Sequence, residues 1–188
     1  MLKYTIKMKK PHILFSLLLL ISSTSIIAQD HEAQEESTHH EFKHFRAAFA
    51  LGQAYIPEAD LENGKFAVLP TLGLELQYWF NKKWGLALKS DVEIAYYSIE
   101  DDGVTINREN PLIIALPVLF SPWDNEFSFI FGPGIEIEEH ENFSIIRVGV
   151  GYEFEIGNHW DFAPEFIYDL KNGHVNSLTI AIGIGKRF

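Results

Sequence analysis

The chain has 188 residues, enough for one domain of ordinary size, and 47% of them are hydrophobic and 14% aromatic, so it can bury a large apolar surface. Its 15 Lys and Arg face 26 Asp and Glu, a balance that argues against nucleic acid as a partner, because phosphate binding needs a basic surface. It has no cysteine, which excludes disulfides, thiolate metal sites, a catalytic thiol and a lipidated N-terminal cysteine.

Residues 1–28 read as a secretory signal peptide. Lys3, Lys7, Lys9 and Lys10 make a positive start, Ile13 to Ile27 make an apolar run with four leucines at 17–20, and Ala28 suits the position before a cut. The run is shorter than the roughly 20 residues of a spanning helix. Removing four of the 15 bases leaves 11 against 26 acids, a net charge of −15. Residues 29–44 form an expected disordered, acidic and His-rich periplasmic tail, too polar to repay the entropy of ordering. It holds His39, His40 and His44. The i, i+4 spacing of His40 and His44 would bring two imidazoles to one helical face for a metal such as zinc. A solvated tail with weak metal affinity is the plainer reading, and no cofactor is expected.

From residue 45 to 188 the dominant period is two. Phe66, Val68, Leu72, Leu74, Leu76, Tyr78 and Phe80 alternate with Ala67, Thr71, Gly73, Glu75 and Gln77. Trp84, Leu86, Leu88, Val92, Ile94 and Tyr96 alternate with Gly85, Ala87, Lys89, Asp91, Glu93 and Ala95. A strand sorts such residues onto two faces, whereas a helix scatters them. Eight segments result: 45–56, 66–80, 84–98, 111–121, 127–138, 143–156, 160–170 and 176–188. Most are longer than the five or six residues usual in soluble sheets and suit a tilted strand crossing a bilayer. The connections at 81–83, 122–126 and 157–159 are short. Those at 57–65 and 100–110 are long and acidic, and 139–142 and 171–175 are intermediate. Gly132-Pro133-Gly134 and Pro117 fall inside strands and predict bulges or bends.

The fold class is therefore all-β: an eight-stranded, antiparallel, up-and-down barrel over 45–188. Two orientations are open. The apolar face can meet lipid around a charged lumen, or line the cavity of a soluble periplasmic, lipocalin-like carrier of a hydrophobic ligand. Aromatics at the strand ends (Tyr55, Tyr78, Trp84, Tyr96, Trp160 and Tyr168) favour the first, because such rings gather at membrane interfaces. The other face carries an expected lumen network of Arg46, Glu75, Lys89, Asp91, Glu93, Glu136, Arg147, Glu153, Glu155, Asp161, Glu165, Asp169 and Arg187. Lys89 and Arg147 are its expected hubs. An eight-stranded interior is just filled by its side chains, so a plugged structural network is favoured over a narrow cation pore.

On these features the chain resembles the small outer-membrane β-barrel proteins of bacteria, the OmpA/OmpX-type porin-like superfamily. The carriers are the leader, the eight alternating segments and the last strand, Leu178 to Phe188. The resemblance implies an outer-membrane location in a Gram-negative envelope, with outer-membrane lipid and lipopolysaccharide as surroundings. It also implies recognition by the barrel-assembly machinery, for which Phe188, preceded by Ile180, Ile182 and Ile184, is the signal. Lys186 departs from the usual apolar residue and would snorkel to the interface. The resemblance implies no reaction. Barrel enzymes that deacylate lipid A set a His and a Ser two residues apart on one strand face. Here His174 and Ser177 are three apart, so no enzyme is expected. The acidic loop clusters Glu100-Asp101-Asp102 and Glu138 to Glu141 show no spacing that specifies a cation cage. A structural or surface-interaction role remains.

Overall fold

The computed structural model describes residues 42–57, 59–60, 66–101, 104–123, 126–139, 141–172 and 175–188. The expected signal peptide and most of the expected tail, with His39 and His40, lie outside these residues. Among the described residues thirteen strands are present: β1 (Phe45–Pro57), β2 (Ala59–Asp60), β3 (Phe66–Trp79), β4 (Trp84–Glu93), β5 (Tyr96–Asp101), β6 (Val104–Glu109), β7 (Leu112–Ala115), β8 (Val118–Phe120), β9 (Phe127–Ile137), β10 (Phe143–Tyr152), β11 (Phe154–Gly157), β12 (Trp160–Lys171) and β13 (Ser177–Arg187).

Ten of them build the eight staves of a closed antiparallel barrel. β1 pairs with β3 and β13, β3 with β4, and β4 with both β7 and β8. β7 and β8 pair with β9, β9 with β10, β10 and β11 with β12, and β12 with β13, which returns the ring to β1. β7 and β8 are one stave broken at Leu116-Pro117, and β10 and β11 are another, broken at Glu153. Period-two patterning accounts for the staves. In β3 the side chains alternate exposed and buried without a slip through 14 residues. The short turns use the expected chemistry. Asn158 and His159, at φ 51° and 64°, link Gly157 to Trp160 as a two-residue turn with both central residues left-handed. The Asn81 side chain accepts from the Lys83 and Trp84 amides at 2.8 and 3.0 Å.

Three expectations are corrected. The acidic stretch 100–110 is not a loop: Tyr96–Asp101 and Val104–Glu109 form a hairpin, and β2 adds to it as a three-stranded sheet beyond the barrel rim. Residue polarity hid it, since the outward positions Thr105, Asn107 and Glu109 are polar where an apolar row would mark a strand. Gly132 to Gly134 makes no bulge, and β9 runs through it in unbroken register with β10. The break falls opposite, at Pro117, which has no amide hydrogen to give; a Cβ at Gly132 would collide with the Pro117 backbone. Finally, Phe42 to His44 are not free tail. Phe42 packs on the inner-rim apolar cluster, the His44 ring Nδ1–H donates to the Trp79 carbonyl at 2.6 Å, and the Trp79 amide donates back to the His44 carbonyl at 2.7 Å.

The exterior decides between the two orientations. Leu72, Leu74, Leu76, Phe131, Ile180, Ile182 and Ile184 are exposed, while Arg46, Lys89, Glu136, Arg147 and Asp169 are each at most 3% exposed. A soluble carrier would have these faces exchanged. Tyr55, Tyr78, Trp84, Tyr96, Trp160 and Tyr168 are all exposed as well, as interfacial rings are.

Candidate functional site

The inward rows of the staves bring the charges together in three groups. Near the rim of short turns, here the inner rim, Arg46 of β1 is the hub. Its Nε and Nη2 donate to both carboxylate oxygens of Asp161 on β12, at 2.9 and 2.5 Å, and its Nη1 donates to Glu75 of β3 at 3.2 Å. Glu153 lies 3.7 Å from Arg46 and also pairs with Arg187. Lys89 of β4 joins Glu75 at 3.2 Å to Glu165 at 2.6 Å. A polar chain leads off the same carboxylate: Trp79 Nε1 donates to Gln77 Oε1 at 2.6 Å, and Gln77 Nε2 donates to Glu75 Oε1 at 2.8 Å. In the middle, Arg147 of β10 grips Asp169 through Nε and Nη2, both at 2.8 Å, and pairs with Asp91 through Nη1.

The third group lies at the opposite, outer rim, and half of it was not anticipated. Glu93 accepts from the Tyr97 hydroxyl at 2.6 Å, and Glu136 pairs with Lys171 at 2.6 Å. Arg108 of β6 is fully buried. It pairs with Glu136, donates to the Glu141 carbonyl at 2.7 Å and stands 4.2 Å over the Phe143 ring. The sequence pattern places Arg108 in the long acidic connection 100–110 and Lys171 at the start of the connection 171–175, so neither falls on an expected strand row. The available signal for Lys171 was its parity: it continues the inward row of Asp161, Glu165 and Asp169.

Apolar clusters cap this interior at both ends. At the outer rim Ile56, Ala59, Ala67, Leu69, Tyr97, Ile99 and Phe143 pack together, with Ala95, Ile106 and Val175 against them. At the inner rim Trp79, Ala87, Leu119 and Ile130 do the same with Phe42. The expected charged network does not extend to the two ends of this face, where apolar residues take its place. Leu69 and Trp79 share the parity of Glu75, so the caps were readable as the ends of the same inward row. Burial raises the Tyr97 phenol above its ordinary value, and the Glu93 and Glu136 carboxylates raise it further.

Of the thirteen expected network residues, twelve lie in this interior. Glu155 does not. It is exposed on β11, past the break in its stave, where the inward row has run out beyond the rim. His44, the described member of the His set, spends Nδ1 on the Trp79 carbonyl. Among the described residues no group of three or more His, Asp or Glu is placed to hold a metal ion. Ser177 is 1% exposed and faces inward, away from any acyl chain outside the barrel, while His174 lies outside the described residues.

Ail, the attachment invasion locus protein of Yersinia pestis, is similar in structure, with a TM-score of 0.51 and 15% identity over 78% of this chain and 100% of that one. The fold is that of the small outer-membrane β-barrels. The apolar belt is the surface that such a barrel turns to lipid. A second Ail structure, in complex with the heparin analogue sucrose octasulfate, gives a TM-score of 0.52 and 17% identity over 78% and 100% of the two chains. The outer-membrane protein OprG of Pseudomonas aeruginosa gives 0.51 and 14% over 78% and 97%. No family model matches the chain, and no curated protein sequence matches it.

Proposed function

We propose that the chain is a non-enzymatic barrel of the outer membrane whose lumen is shut and whose work lies at its outer surface. The observation that carries this reading is what lines the interior: paired charges along its length, and an apolar cluster near each end. Ions do not cross an apolar cap without a wetted path, and the Arg108 bridge to Glu136 ties the outer sheet to the barrel wall. With the lumen shut, the outer loops are what remains to act on. They are acidic, with Glu109, Glu139 and Glu141 exposed there. This charge disfavours a polyanion such as the heparin analogue bound by Ail. It suits a basic partner, or lipopolysaccharide approached through divalent cations. Delivery to the membrane would use the barrel-assembly machinery, with Phe188 as its signal.

The test is ion conductance of the purified full chain in a planar bilayer. The reading predicts no steady current above the bare bilayer. A stable unitary conductance, blocked by a bulky reagent placed in the lumen, would replace it with the narrow cation pore.

A further inference from the structure

Lys186 stands on the outside of the barrel. On β13 the exposed row runs Ile180, Ile182, Ile184, and Lys186 is its next member. It pairs in register with Trp160 of β12 and with Ala47 of β1, so it sits beside the seam between the last strand and the first. Its ammonium lies 5.5 Å over the Trp160 ring and 5.7 Å over the Phe188 ring, and both rings are exposed. No carboxylate among the described residues forms an ion pair with it; the exposed Glu155, which faces Asp161 across β11 and β12, is not joined to it. A cation on a lipid-facing row is costly unless it reaches the interface and meets a counter-charge there.

Lys82 and Lys83 are exposed on the rest of the inner rim and Lys43 is half-buried, against the exposed acids Glu126 and Glu155, whereas the outer rim exposes Glu109, Glu139 and Glu141. We propose that Lys186, framed by Trp160 and Phe188, binds the phosphate of an anionic phospholipid headgroup in the inner leaflet. The two ring faces hold the ammonium at headgroup depth by cation–π attraction, and leave its outward side for the phosphate. The aliphatic stem lies along the acyl region, continuing the isoleucine row. Charge complementarity decides the occupant: an anionic lipid brings an uncompensated phosphate to Lys186, while a zwitterionic one also brings an ammonium that Lys186 repels.

This rests on the apolar face being the lipid face, so the experiment separates the two. The full chain, purified in detergent with mixed phosphatidylglycerol and phosphatidylethanolamine of identical acyl chains, is examined by native mass spectrometry and by electrophoresis of boiled and unboiled samples. Wild type is expected to retain phosphatidylglycerol about fivefold over phosphatidylethanolamine, the factor one lysine is worth beside an anionic lipid surface. Lys186→Gln is expected to bring the ratio to about one, and Lys186→Arg to keep it, with the same electrophoretic shift in all three. Equal retention of both lipids by a wild type that shows the shift overturns the headgroup site alone, as does an unchanged preference in Lys186→Gln. A wild type with no shift and no retained lipid overturns the lipid-facing reading with it.

Discussion

Arg46 and Asp161, 115 residues apart in the chain, meet across the lumen through two parallel hydrogen bonds of 2.9 and 2.5 Å. The pair ties the first stave to the seventh, and the Arg46 guanidinium is wholly buried. Truncating one partner of a buried pair leaves a desolvated charge behind: here Asp161 would lose its cation, while Glu75 would keep Lys89 and Glu153 would keep Arg187. Arg46→Ala is expected to cost about 3–5 kcal/mol in urea unfolding from lipid vesicles. Arg187→Gln should cost about 1 kcal/mol or less, because the Arg187 side chain is 27% exposed. Equal losses for the two would mean that burial does not set the worth of these pairs.

The same arginine explains a glycine. A Cβ at Gly185 would lie 2.6 Å from both Nε and Nη2 of Arg46, whereas one at Gly183 would come no nearer than 3.6 Å to anything. Gly185→Ala is expected to lower stability by about 1–3 kcal/mol by displacing the guanidinium from Asp161. Gly183→Ala should stay within about 0.5 kcal/mol. The same unfolding midpoints read both.

The outer cap is where the lumen should be easiest to open. Replacing Arg108 and Tyr97 together by Ala removes the tie to Glu136 and the largest polar-tipped ring of the cap. This double variant is expected to show current steps in a planar bilayer where wild type shows none, and to keep its heat-dependent electrophoretic shift. A silent variant that keeps the shift would move the seal to the inner cap around Trp79 and Leu119.

Tyr97 also gives the outer sheet a dependence on alkaline pH. Its folded phenol is raised above the ordinary value of about 10 by burial first and by Glu93 and Glu136 next. A raised folded value means stability that is complete below about pH 10 and is lost as pH climbs from there toward the folded value, since the unfolded phenol ionises first. Ultraviolet titration should show one fewer tyrosine ionising near pH 10 in the folded chain than in the unfolded one and the same number in folded Tyr97→Phe as in folded wild type, and Tyr97→Phe should flatten the alkaline fall in unfolding midpoint.

How far the sequence could be read depended on which force placed each residue. β3 was legible because one face meets lipid and the other packs inside, so Phe66 to Trp79 alternate along their full length. Arg46, Glu75, Lys89 and Arg147 were legible for the same reason. β5 past Ser98 and β6 were not, since their outward row turns polar at Thr105, Asn107 and Glu109, while their ladder runs from Tyr96↔Glu109 to Asp101↔Val104. Arg108 went with them. Its burial comes from the hairpin folding back over the lumen, and no local pattern announces that. Glu155 erred the other way: its parity is right, but parity cannot say where the barrel ends.

The central claim is that the apolar row faces lipid and the charged row faces a filled interior. The chain has no cysteine, so single cysteines can be placed along β3 without background. Each would carry a spin label in the reconstituted protein, and its accessibility to a lipid-soluble relaxing agent would be measured. High values at Val68, Leu72, Leu74, Leu76 and Tyr78 and low values at Ala67, Leu69, Thr71, Gly73 and Gln77 are predicted, with a period of two. The opposite phase, or no period, would contradict the barrel described.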